Sequence, residues 1–247
     1  MTDYKDIIEK LRDDNEYYRG LGRKYLSNSD IDSLLNNPKS FGVPKEDNKG
    51  FAEGRLFHQL LIEPEKAKEV IYVDASSRTT KEYKSFCEQM NRPFVLLKKE
   101  VEDVKELTET MKRNITFFDE IYRDGNTYET PGIAEIHGMM WKGKADIITN
   151  DSIIDLKTTG DILKFKYSAK AYNYDSQCFI YEYLFKKPLV FFVIDKTTRQ
   201  MGIFKPTDSF IESGEAKVRR AIDVYGRYFA EDRWDDINNH YIDDILL

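Results

Sequence analysis

The chain has few of the usual covalent or metal staples. Its two cysteines, Cys87 and Cys178, stand far apart and outside any C-x-x-C spacing. A disulfide framework, a structural zinc site and a four-cysteine iron–sulfur cluster are therefore not expected. Excess positive charge is also missing: 38 Lys and Arg oppose 44 Asp and Glu, for a formal net charge of −6. Such a balance argues against a general polyanion binder. It is compatible with a nucleic-acid enzyme whose metal site is built from carboxylates and whose phosphate contacts lie in one groove. No apolar run approaches the roughly 18 residues that a membrane span requires. The opening "MTDYKDIIEKLRDDNEYY" alternates charge with apolar residues and has no signal-peptide core. Internal repeats and low-complexity linkers are absent as well. The expectation is a soluble, cytoplasmic protein with no membrane contact.

Aromatic residues are plentiful, with 16 Tyr, 15 Phe and 2 Trp in 247 residues, and the chain is long enough to bury a sizeable core. Apolar spacing predicts a helix over residues 3 to 18, with Ile7, Ile8, Leu11 and Tyr18 on its apolar side. A second helix is expected in "LSNSDIDSLLNNPKSF", capped by Ser29 and ended by Pro38. "GFAEGRLFHQLLIEPEKAKEV" predicts a third, stopped near Pro64, and "VIYVD" a short strand. Residues 80 to 121 read as polar and helical, split by Pro93. The middle then changes character. "AEIHGMMWKGKADIIT" and "SIIDLKTT" predict successive strands turning at His137-Gly138 and Asn150-Asp151. A helix in "DSQCFIYEYLF", strands in "PLVFFVIDK" and "QMGIFKP", and a long closing helix follow. This order predicts an α/β (α+β) fold with a central mixed β-sheet flanked by helices. The N-terminal helices would pack on it, within a single domain over 1–247.

Chemistry concentrates in "GKADIITNDSIIDLKTT", residues 143 to 159. A strand turns alternate side chains to opposite faces, so Asp155 and Lys157 share a face. Pairing of 143–149 back onto 153–158 would bring Asp146 close to Asp155. Two carboxylates among isoleucines are costly unless something neutralises them. Oxygen ligands of this kind suit Mg²⁺, with Mn²⁺ as a substitute. Lys157 would then hold the attacking water, or help deprotonate it, and offset phosphate charge. His58, one of three histidines, offers a neutral nitrogen ligand. Gln177 and Tyr181 lie four apart and share a helix face, where they could position a phosphate or the water. Taken singly, each of these features has a structural reading as well: a surface ion pair, a core histidine, a polar helix edge. Lys142, Lys144, Lys164, Lys166 and Lys170, interleaved with Phe165, Tyr167 and Tyr172, form a candidate DNA-contacting patch. A solvated face is the alternative.

The series Gly54-x-x-x-His58, Asp146, Asp155-Leu156-Lys157-Thr158-Thr159 and Gln177-x-x-x-Tyr181 resembles the PD-(D/E)XK nuclease superfamily. More narrowly it is similar to the RecB-like branch, and to the nuclease domain of the RecE-type exonucleases (exonuclease VIII) of phages and prophages. "YLSNSDIDSLLNNPKSF", "EGRLFHQLLIEPEKAKE" and "IIDLKTTGDILKFKYSAKAYNYDSQCFIYEYL" extend the similarity over residues 25–247, and residues 1–24 fall outside it. The resemblance implies a Mg²⁺-dependent exodeoxyribonuclease that digests one strand of linear double-stranded DNA from its 5′ end, processively. It implies a ring-shaped homo-oligomer (trimer or tetramer) on double-stranded DNA ends, leaving 3′ overhangs for a single-strand annealing protein. His58, Asp146 and Asp155 would be metal ligands, with the Leu156 carbonyl beside them. Lys157 would be the catalytic lysine, with Gln177 and Tyr181 in support. The superfamily often adds an upstream glutamate, for which Glu129 and Glu135 both stand open. A structure- or sequence-specific endonuclease of the same fold and a non-catalytic DNA-end-binding module are the alternatives.

Overall fold

The computed structural model describes residues 4–241. Residue 3, the start of the first expected helix, and residues 242–247 lie outside it. That first helix is two. α1 (Lys5–Lys10) ends before Asp13, whose carboxylate accepts the Glu16 N–H at 3.0 Å and caps α2 (Asp14–Tyr18). The break re-phases the stripe, so Tyr17 rather than Tyr18 turns inward, at 6% against 63% exposure. α3 (Asn28–Asn36) begins two residues earlier than Ser29 suggests. The Asp30 carboxylate accepts both the backbone N–H and the hydroxyl of Ser27 at 2.8 Å, so the cap is Ser27.

α4 (Lys49–Ile62) is capped by Asn48, and Pro64 opens α5 (Pro64–Lys68) instead of merely ending its predecessor. β1 (Tyr72–Val73) pairs in parallel with β2 (Leu96–Leu97), and α6 (Lys81–Gln89) lies between them in sequence. α7 (Lys98–Arg113) and α8 (Ile115–Ile121) follow.

The main sheet has five strands in the order of the chain: β3 (Thr127–Ile136), β4 (Met139–Ile148), β5 (Ile153–Thr159), β6 (Leu189–Asp195) and β7 (Met201–Phe204). Only β5 and β6 run parallel, and α9 (Phe165–Ala171) and α10 (Tyr174–Phe185) connect them. α11 (Asp208–Tyr228) closes the described chain apart from a short 3-10 turn. The mixed sheet expected from sequence is present, with one extension. β3 starts at Thr127, well before "AEIHG", because Pro131 is tolerated on an edge strand that needs no donor on its free side. α4, α7 and α8 cover one face through Phe57, Leu107, Met111 and Ile121 against Ile154 and Leu156. α9 and α10 cover the other over Ala145, Ile153 and Val193. No helix among the described residues is long and apolar enough to cross a membrane.

Two irregularities position the site. β4 and β5 pair only at Ile147↔Ile154 and Ile148↔Ile153, then part. On the other side of β4 the pairing skips Glu129 and Asp146, between Tyr128↔Ile147 and Thr130↔Ala145, where Glu129 has φ 45°. Residues two apart on a strand normally share a face. Here Ala145 packs toward α10 while Ile147 packs toward α4 and α7. The strand turns over at Asp146, which sits at the mouth of the gap.

Candidate active site

Where β4 and β5 separate, side chains replace the ladder. The Leu156 N–H donates to Asp146 Oδ2 at 2.8 Å, and the Leu156 carbonyl lies 2.8 Å from His58 Nε2. His58 Nδ1 is 3.3 Å from Asp146 Oδ2. Imidazole, carboxylate and backbone thus close a ring around the middle residue of Asp155-Leu156-Lys157. α4 delivers His58 because Leu56 and Phe57 beside it are anchored in the core. With both ring nitrogens facing acceptors, the imidazolium is favoured. Burial works against it, but Asp146 outweighs that and raises the pKa to about 9. Burial alone would lift Asp146, and His58 with Lys157 pulls it below its ordinary value.

Asp155 is almost fully buried, at 1% exposure, and belongs to a second group. Its Oδ1 accepts Gln177 Nε2 at 2.6 Å, and its Oδ2 lies 2.6 Å from Lys157 Nζ. Burial pushes the Asp155 carboxyl upward despite that ammonium. Burial opposes the charge on Lys157 too, yet Asp155 holds its pKa well above the ordinary value. The Lys157 ammonium also lies 4.7 Å from the centre of the Tyr174 ring. Gln177 and Tyr181 share the sheet-facing side of α10 but do different things. Tyr181 donates to the Lys144 carbonyl at 3.1 Å and so fixes β4, and no hydrogen bond joins it to Asp155.

Of the two upstream glutamates, Glu129 comes to the site. One donor atom each from His58, Glu129 and Asp146 lie within 4.8 Å of one another. Burial, then Asp146 and Glu63, push the Glu129 carboxyl up to about 8. Glu135 is exposed on β3, opposite Met140. Asp155, expected in the ligand set with His58 and Asp146, stands beside this trio with its oxygens turned to Gln177 and Lys157. Nothing in the spacing of the sequence separates Glu129 from Glu135; the backbone distortion at Glu129 does.

The donor set fits a hard divalent cation. Glu129, Asp146 and Asp155 are three carboxylates against one ammonium, Lys157. Once His58 and Glu129 have given up their protons, two negative charges are left to meet the two positive charges of one such ion. Asp155 Oδ2 is moreover buried and faces the Lys157 ammonium at 2.6 Å. Carboxylate oxygens with one imidazole suit Mg²⁺ or Mn²⁺, and Cys178, on the core-facing side of α10, does not argue for a softer metal, since burial pushes its thiol well above its ordinary value.

The expected basic patch divides. Lys142 and Lys144 are not exposed cations, at 7% and 8% exposure. The segment preceding residue 25, outside the family resemblance, covers them: Lys142 Nζ donates to the Tyr17 carbonyl at 2.5 Å, and Lys144 Nζ lies 2.6 Å from Asp14 Oδ1. Lys164, Lys166 and Lys170 do face solvent on and before α9, beside exposed Tyr167 and Tyr172.

A sheet split at its middle strands, with Asp and Asp-x-Lys at the split and a Gln/Tyr helix behind, defines the PD-(D/E)XK nuclease class of fold. Residues 32–240 match the family described as "PDDEXK-like domain of unknown function (DUF3799)", and the chain belongs to it. Among solved structures, the chain is similar to that of a candidate exonuclease from Eubacterium rectale, with 17% identity, TM-score 0.62 and 95% of each chain covered. At that identity the likeness bears on the fold. The structure of SSO0001 aligns over 67% of this chain and 84% of its own at 18% identity, with a TM-score of 0.29, too slight to bear on it. No curated protein matches the chain. Family and fold support a nuclease.

Proposed function

We propose that the protein is a metal-dependent exodeoxyribonuclease acting on linear double-stranded DNA from the 5′ end. The observation that supports metal-dependent cleavage is the placement of two ion pairs, Asp155–Lys157 and Asp146–His58, around Leu156, each with one buried carboxylate and one half-buried partner. A bound Mg²⁺ or Mn²⁺, held by His58, Glu129, Asp146 and Asp155, would supply Lewis acidity and a more acidic water.

The chain's own residues set the rest. Lys157, held protonated by Asp155, is a fixed positive charge and a donor to the attacking water or to a phosphate oxygen. Its raised pKa makes it a poor general base while that pair is intact. Gln177 fixes the rotamer of Asp155, and Tyr181 fixes the strand that carries Asp146. His58 must release a proton to solvent before it can ligate a metal, since Asp146 and Glu129 would themselves ligate as carboxylates. The solvent-facing Lys164, Lys166 and Lys170 would contact the DNA backbone. Polarity, processivity, a ring-shaped trimer or tetramer and an annealing partner rest on the resemblance to RecE-type exonucleases. A closed cyclic assembly would keep the duplex threaded.

The test is digestion of a linear duplex labelled at the 5′ or the 3′ end, beside a covalently closed circle, in Mg²⁺. Early release of the 5′ label with the circle intact is expected. Cutting of the circle would identify an endonuclease instead, and binding of ends without cutting a non-catalytic module. Sedimentation showing only a monomer at working concentration would remove the ring.

A further inference from the structure

Asp14 lies in the N-terminal segment that the family resemblance leaves out, yet its carboxylate is clasped by two lysines from the nuclease fold. Lys144 Nζ, on β4 two residues before Asp146, is 2.6 Å from Oδ1, and Lys66 Nζ, on α5, is 2.6 Å from Oδ2. We propose that Lys66 and Lys144 form an anion subsite for a backbone phosphate of the nucleic acid, which the Asp14 carboxylate fills in the free protein. The inference rests on the nuclease reading and adds to it a binding position and its internal occupant.

Four observations support this. First, a phosphodiester and a carboxylate carry the same single charge and offer two acceptor oxygens, so exchange preserves the local balance. Second, the subsite adjoins the candidate metal centre. Two residues of strand span only about 7 Å, and Lys144 and Glu63, the second carboxylate partner of Lys66, both act on the Glu129 carboxyl. Third, Asp14 can leave without undocking its helix. Leu11 and Tyr17 anchor the segment on Ile133, whereas the Asp14 side chain is 44% exposed. Fourth, Lys144 is poised: its own side chain is 6% exposed and stacked 4.6 Å from the Tyr17 ring centre, so the ammonium needs no reorganisation once the carboxylate turns away. A purely structural tie would leave the same contacts, so the test must read phosphate contact directly.

The experiment is fluorescence anisotropy of the full chain with a short labelled blunt duplex in Ca²⁺, across a series of salt concentrations. Asp14→Asn is expected to tighten binding about tenfold. Glu16→Gln, which removes the same charge from the same helix without touching either lysine, should change it little. Lys66→Met and Lys144→Met should each lower the slope of log affinity against log salt by about 0.9, and either should cancel the gain from Asp14→Asn. Lys66, on the more exposed side, keeps the test informative if Lys144→Met fails to fold, which circular dichroism would show. Slopes unchanged in well-folded, duplex-binding lysine variants, or an equal gain from Glu16→Gln, would overturn the subsite while sparing the nuclease reading. Absence of duplex binding in every folded variant would overturn that reading and the subsite with it.

Discussion

The carboxylate of Asp146 takes the place of a strand neighbour for Leu156. Its Oδ2 accepts the Leu156 N–H at 2.8 Å where β4 and β5 have ceased to pair. The aspartate is therefore structural as well as a candidate ligand, and the two roles separate by substitution. Asp146→Ala strands a buried N–H and should cost about 1–3 kcal/mol in the metal-free protein. Asp146→Asn keeps an acceptor and should cost less, while losing metal affinity as fully. Urea unfolding in EDTA, beside metal titration, checks both. Equal stability of the two variants would contradict the bond's role.

Metal binding should appear as stability, since an ion held by the folded state alone stabilises it by about 2.7 kcal/mol at a hundred times its dissociation constant. Mn²⁺ or Mg²⁺ is expected to raise the melting temperature of the protein. Glu129→Gln should weaken that rise, and Glu135→Gln should leave it intact, because only Glu129 reaches His58 and Asp146. A reversed pattern would move the upstream acid to Glu135.

Gly143 sets how closely α10 approaches β4. A Cβ there would stand 2.8 Å from both Leu184 Cδ1 and Tyr181 Cε1. Gly143→Ala should therefore displace the Tyr181 ring and the Leu184 side chain on α10, with a loss of about 1–3 kcal/mol of the overpacking kind. Nuclease activity should fall beyond what the remaining folded fraction explains. A variant with wild-type melting and turnover would show that α10 tolerates the displacement.

Lys142 gives a pH signature away from the candidate ligands. Burial depresses its pKa to about 8, below the ordinary lysine value of 10.5. The unfolded chain thus binds more protons between those values, so this group makes stability rise with pH across that window. Below about pH 8 both states are protonated and the full cost of burying the ammonium remains. Relative to Lys142→Met, the wild type should gain on the order of 2 kcal/mol between pH 8 and pH 10. A flat difference would mean that the ammonium is not desolvated.

Much of the site was legible because strand and helix periodicity are local. Asp155 with Lys157, and Gln177 with Tyr181, follow from spacings of two and four residues, and the hairpin carrying Asp146 follows from its turn residues. Other features are tertiary. The choice of Glu129 depends on a positive φ opposite Asp146, and the strand turning over at Asp146 breaks the alternation that sequence reading assumes. The burial of Lys142 and Lys144 depends on a distant segment, α1 and α2, whose own break is a cap formed by Asp13. Between Ser27 and Ser29 the rule was local but close: Asp30, three residues after Ser27, decides the cap.

The most direct measurement is the rate of nucleotide release from a linear duplex in Mg²⁺ and in EDTA by the wild type, Asp155→Asn and Lys157→Met, each first shown by circular dichroism to be folded. Release by the wild type only in Mg²⁺, with both variants slower by at least about 10²–10³, is the expected result. Near-normal release by either folded variant, or release undiminished in EDTA, would contradict hydrolysis at this centre.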